Sequence, residues 1–126
     1  MKNEKTYRIV SIAGAFLLWS SWAYLVNDSE LQQKIVSAIA QGAVSATATS
    51  LIIKSLKILS KKFNFFIIPS LIVTSITTAT GIAIHKIIGT PQIFWTLFPA
   101  VSTALIYSLF TSYKFQKNST MEKTNV

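Results

Sequence analysis

The sequence predicts an all-α integral membrane protein, a bundle of four transmembrane helices, and three observations predict it. Hydrophobic residues make up 51% of the chain against 13% charged, and the mean hydropathy is +0.48, far from soluble averages. The apolar residues are not periodic but fall into four uncharged blocks, at 9–27, 35–53, 63–85 and 87–113. Each block reaches the roughly 18 residues at which a membrane span becomes the default reading. Third, the charges gather between the blocks. Spans are therefore expected at about residues 9–26, 35–53, 64–85 and 92–113. They leave no stretch long enough for a separate soluble domain, so residues 1–126 read as one membrane domain with short polar tails.

The formal net charge is +8, and its distribution matters more than its size. Lys2, Lys5 and Arg8 precede the first span, Lys54, Lys57, Lys61 and Lys62 join the second to the third, and Lys114, Lys117 and Lys123 follow the fourth. The opposite side holds only Lys34 and Lys86, with Asp28 and Glu30. By the positive-inside rule both termini and the middle connection are cytoplasmic, in an inner (plasma) membrane crossed four times. These lysines orient the chain and lie near anionic headgroups. The nine-residue connection and the polar tail beyond Lys117, expected to be mobile, cannot supply a base-stacking module, so nucleic acid is excluded as a partner.

The first span follows basic residues as a signal peptide would, but its apolar run is longer and "WAYLVNDSE" offers no small-x-small cleavage pattern. It reads as a retained span, with Trp19, Trp22 and Tyr24 anchoring its outer end and Asn27 and Asp28 stopping it. Ser11, Gly14 and Ser21 share one side of it. Asp28 or Ser29 can cap the turn that follows.

The second span, "IVSAIAQGAVSATATSLII", is the least bulky. Ala38, Gly42, Ser45, Ala46 and Thr49 lie within about a third of its circumference, a small-residue face that lets another backbone approach closely. Gln41 is the only amide within a span, suited to an interhelical hydrogen bond or to snorkelling toward the outer interface.

In the third span, with Pro69 in its first turns, Ser70, Thr74, Thr77, Thr78, Gly81 and His85 project to one face, while Ile72, Val73, Ile76, Ala79 and Ala83 take the other. The hydroxyl stripe runs about 22 Å from Ser70 to His85 at 1.5 Å per residue. It reads either as a helix-packing face or as a polar pathway. The fourth span opens on "GTPQ", where Thr90 is expected as N-cap and Pro91 as first helical residue. Pro99 lies inside it, frees the carbonyl of Trp95 and predicts a kink. Thr96, Pro99, Thr103 and Tyr107 share a face.

The chemistry is defined mainly by what is missing. No cysteine is present, and Glu4, Asp28, Glu30 and Glu122 all lie outside the spans, which argues against proton-coupled transport through a buried carboxylate. Small multidrug exporters depend on such a glutamate in the first helix. Small fluoride channels carry an arginine in the first span and an asparagine in the second, and small lipid-linked sugar flippases an asparagine and aromatic pattern in the second; this chain has none of these. The single histidine, His85, is read as an interfacial residue beside Lys86, with a pH sensor, a proton relay or an outer ion site as the functional alternatives. One histidine without cysteine makes a poor metal site, so neither metal nor other cofactor is expected. No base is placed to activate a serine, so no enzymatic activity is expected.

The expected function is that of a small non-enzymatic accessory or interaction protein, a partner of a larger membrane complex of the immunity or lysis-associated type. The alternative is a small transporter, channel or lipid-linked substrate flippase acting as an oligomer. Expected partners are the lipid bilayer and either a second copy of the chain, forming a homo-oligomer, or a membrane protein. Oligomers would form through the small-residue faces of the second and third spans.

Overall fold

The structure, a computed structural model, describes residues 2–125. It contains four helices, α1 (Lys2–Val26), α2 (Leu31–Lys62), α3 (Ile67–Ile87) and α4 (Ile93–Thr124), all long and apolar enough to cross a membrane.

Three of the helices overrun the expected spans, α1 by starting at Lys2 and α2 and α4 by more. α2 and α4 have 32 residues each, so at 1.5 Å per residue each is about 48 Å long, more than the ~30 Å of a hydrocarbon core. The lysines at 54–62 therefore do not form a loop. Lysine is a good helix former, no glycine or proline interrupts "SLKILSKK", and Leu56 and Ser60 keep one side of the segment buried. The turn between α2 and α3 shrinks to residues 63–66, where Phe63 adopts an extended conformation and its N–H closes on the carbonyl of Leu59. The tail beyond Lys117 is likewise helical to Thr124, with Gln116 Nε2 donating to the carbonyl of Phe63 at 2.7 Å. Pro69 sits in the first turn of α3, where its missing N–H would have had no helical partner.

The end of α3 departs from expectation in a way that builds the site. Gly89 has φ +73° and occupies the left-handed position after the C-cap Ile88. The N–H of Thr90 returns to the carbonyl of His85 at 2.9 Å and that of Gly89 to Lys86 at 3.3 Å, the paired bonds of a Schellman motif. Thr90 thus belongs to the termination of α3 and is not the N-cap of α4. That role falls to Gln92, without a side-chain capping bond, and Pro91 lies in the preceding turn. Nor do Asp28 or Ser29 cap α2: its N-cap is Glu30, again without a side-chain bond, and Ser29 Oγ is buried unpartnered.

α2 is the hub. It packs along α1 and also against α3 and α4, while α3 and α4 pack on each other; α1 touches α4 over a short stretch and, among the described residues, does not meet α3. The apolar core is small, Ile52, Leu56 and Val73, with Ala48, Leu59, Ala104 and Phe115 against it. Val73 lies in this core and not on the outward side with Ile76, because α3 is covered on two sides, by α2 as well as α4. The rest of the interior is polar: Ser37, Ser70, Ser108 and Ser112 have no exposure, while Leu25 is 75% and Phe110 67% exposed. The outside is more apolar than the inside, the reverse of a water-soluble bundle.

Candidate functional site

The two ends of the bundle are named here by their turns, the Asn27 end (α1–α2 and α3–α4 turns) and the Phe63 end. At the Asn27 end a knot of side chains ties α2 to α3 and the α3–α4 turn. The Schellman turn lays Thr90 against the imidazole of His85, Nδ1 to Oγ1 2.7 Å, and Nε2 of the same ring meets Gln41 Oε1 of α2 at 2.8 Å. Ser37 Oγ stands 3.1 Å from Thr90 Oγ1, and Gln41 Nε2 donates to Ser45 Oγ at 3.4 Å. His85, Gln41, Ser37 and Thr90 are all buried. His85 is therefore an interior residue with both ring nitrogens engaged, not the interfacial one expected. Gln33 Nε2 donates to the carbonyl of Ile88 at 2.8 Å and holds the turn against α2.

Asn27 forms a second junction. It is fully buried, donates through Nδ2 to the carbonyl of Ala23 and to Thr96 Oγ1, both at 2.8 Å, and accepts the N–H of Gln92 at 3.0 Å. One turn back along α1, Trp22 Nε1 donates at 2.8 Å to the carbonyl of Trp95. That is the carbonyl Pro99 leaves without a helical partner, so the indole supplies the missing donor from a neighbouring helix.

The imidazole and Thr90 are at nucleophile–base distance. Thr90 is shared between His85 and Ser37 in a buried position, and the third member is an amide. An amide accepts at Oε1 and donates from Nε2, so Gln41 links the imidazole of His85 to the hydroxyl of Ser45.

Below the knot, toward the Phe63 end, lies a crevice of about 280 Å³ with walls from all four helices. Gln41, Ser45 and Thr49 of α2, Thr77, Thr78 and Gly81 of α3, and Thr103 and Tyr107 of α4 contribute its polar and small surface. α1 supplies Ser11, Ala15, Leu18 and Trp19. Among the described residues no carboxylate, ammonium, guanidinium or imidazole lines it. Its chemistry is to hold something apolar with room for a few hydroxyl contacts.

The hydroxyl stripe of α3 divides along its length. Ser70 and Thr74 are buried, and Ser70 Oγ donates to Phe66 of its own helix and to the carbonyl of Ser108 in α4, both at 3.0 Å. Thr77, Thr78 and Gly81 face the crevice, yet the hydroxyls bond back, Thr77 to Val73 and Thr74 at 3.0 Å and Thr78 to Thr74 at 2.7 Å. His85 belongs to the knot.

The small-residue face of α2 divides too. Ala38 and Gly42 are buried against α1: Ser20 Oγ donates to the carbonyl of Ala38 at 2.9 Å, and a Cβ on Gly42 would collide with Ser20 Oγ and lie 2.9 Å from the Phe16 ring. Ser45 and Thr49 turn into the crevice, and Ala46 is half-buried. On α1, Ser11 faces the crevice, whereas Gly14 and Ser21 are exposed.

Asn27, Ser37 and Thr90 were not singled out as site residues by the sequence. The signal available was that an amide, an imidazole and an asparagine fall near the same end of antiparallel helices. The chain matches no protein-family model, and no curated protein or solved structure matches it.

Proposed function

We propose that this chain is a multi-pass membrane protein without enzymatic activity that works by binding other membrane components, an accessory or interaction protein of a larger inner-membrane complex. The observation that carries the reading is where the polar groups go. The hydroxyls of Ser70, Thr77 and Thr78 in the α3 stripe are spent on backbone carbonyls, and His85 and Gln41 close the crevice toward the Asn27 end. What remains for partners is a broad apolar exterior. Charge bias favours placing the Phe63 end and both termini in the cytoplasm.

The test is accessibility. Single cysteines at Thr74, Thr78 and Ile76 are each treated with a membrane-impermeant thiol reagent in intact vesicles of both orientations. All three stay protected if the chain is an interaction protein. Labelling at Thr78 but not Ile76 would overturn the reading in favour of the alternative, a small transporter or flippase, which the crevice beside Thr77 and Thr78 supports. Reporter fusions at Ser60 and Val126 check the orientation and should both report cytoplasm.

A further inference from the structure

We propose that the crevice holds one acyl chain of an anionic phospholipid, whose headgroup is bound by Arg8. The inference rests on the bilayer placement proposed above, but goes beyond it in assigning a ligand and a site. Three features point to this occupant.

First, the crevice opens sideways. Trp22 and Asn27, both at the Asn27 end, clasp α1 to α4 and its leading turn, and among the described residues the two helices touch over a short stretch only. A lipid chain can enter between them from the bilayer without crossing a polar barrier. Second, the walls suit a chain: Leu18 and Trp19 face Leu97 and Ala104, no charged group intervenes, and the neighbouring hydroxyls of Thr77 and Thr78 are already satisfied. The α1 lining from Trp19 to Ser11 spans about 12 Å at 1.5 Å per residue, with the long axis along the membrane normal as an acyl chain requires.

Third, the mouth on the Phe63 side carries the matching charge. Arg8 lies on α1 three residues, about 4.5 Å, beyond Ser11, and its Nη2 donates at 3.1 Å to Ser50, the neighbour of the crevice residue Thr49. This bond holds the guanidinium against α2 beside Thr49, just past the Ser11 limit of the crevice, and uses one of its five N–H donors. The remaining donors form a planar fork suited to a phosphate diester. Depth and charge therefore agree: the chain goes into the crevice, the phosphate stays at the cytoplasmic headgroup level.

The experiment is native mass spectrometry of the full chain in detergent, titrated with phosphatidylglycerol and with phosphatidylcholine of identical acyl chains. The wild type should retain phosphatidylglycerol about tenfold better, the effect of one charge-assisted contact. Arg8→Gln should bring the two lipids level, whereas Lys54→Gln, which removes a nearby cation outside the mouth, should preserve the preference. Ala104→Phe, which fills the crevice, should lose both lipids; Ala15→Leu narrows it from the other wall and guards against one variant misfolding, with helicity measured for each. Equal retention of both lipids by the wild type, an equal loss in Lys54→Gln, or undiminished binding in both filled variants would each overturn the proposal. Alkaline extraction separates the premise from the inference: a chain washed off the membrane refutes the bilayer placement, while a retained chain that does not select phosphatidylglycerol refutes only the lipid site.

Discussion

The two ends of this bundle bury polar groups in different ways. At the Asn27 end the cross-links are made by an asparagine, two glutamines, a histidine and a tryptophan, each with a polar atom reaching a second helix or turn. At the Phe63 end they are mostly hydroxyls, Ser60 to Ser112 at 3.2 Å and Ser70 to Ser108, around the apolar core of Ile52, Leu56 and Val73. A hydroxyl can satisfy itself on the carbonyl four residues earlier, so it does not dictate which helix lies beside it. An amide or imidazole has more bonding groups than its own helix can serve. The Asn27 end therefore specifies which helices meet and at what level, and the Phe63 end lets them pack.

The largest effect should come from separating α1 from α2. Gly42→Leu places a side chain where Ser20 and Phe16 already stand, close to the bond from Ser20 to Ala38, and should cost about 3 kcal/mol. Reversible unfolding in mixed micelles measures it. An unchanged stability would mean that the contact between these helices is loose and that the small-residue face is free for an oligomer.

Next in size is the knot itself. His85→Leu leaves Gln41 Oε1 without its partner and Thr90 Oγ1 with Ser37 alone, and should cost about 2 kcal/mol, with a coupling of about 1 kcal/mol to Gln41→Leu in a double-mutant cycle. The same cycle between Ser60 and Ser112 should give about 0.3 kcal/mol, since either hydroxyl has a helical carbonyl to fall back on. Equal couplings at the two ends would remove the distinction drawn between them.

The same distinction sets what was legible in the sequence. Four long apolar helices were legible because the blocks of apolar residues are long, and the exposed side of α3 was mostly legible because Ile76 and Ala83 repeat at helical spacing. The helix ends at Lys62 and Thr124 were not, because charge marks where a membrane stops and not where a helix stops. The knot was hidden by stagger. Gln41 lies ten residues into α2, about 15 Å, while His85 is two residues from the end of α3, so α2 must stand well beyond α3 for them to meet. That offset is set by the folded-back turn at Gly89, which "GTPQ" disguises as the start of α4. In contrast, the orphan carbonyl of Trp95 was readable from Pro99 alone; only its donor was not.

That carbonyl offers a smaller and more selective test. Trp22→Phe keeps the ring and removes the N–H, and should cost about 1 kcal/mol by leaving the carbonyl of Trp95 without a donor. In a Pro99→Ala background the backbone N–H of residue 99 can take over, so the same change should cost only a few tenths. A full penalty in both backgrounds would assign the loss to indole packing and not to the bond.

The smallest effect should carry the opposite sign. Thr74 is buried and its Oγ1 has no partner, while its carbonyl receives the hydroxyls of Thr77 and Thr78. Ser108 Oγ in α4 is in the same condition although its carbonyl is used by Ser70. Thr74→Val keeps the branched shape and removes an unpaired hydroxyl, so the protein should gain about 0.5 kcal/mol, whereas Ser70→Ala, one turn away on the same helix, should lose about 0.6 kcal/mol. The pair divides the hydroxyl stripe into residues that hold a neighbour and residues that merely fit beside one. A loss at Thr74 comparable to that at Ser70 would mean its hydroxyl meets water, and would return the stripe to the reading of a pathway.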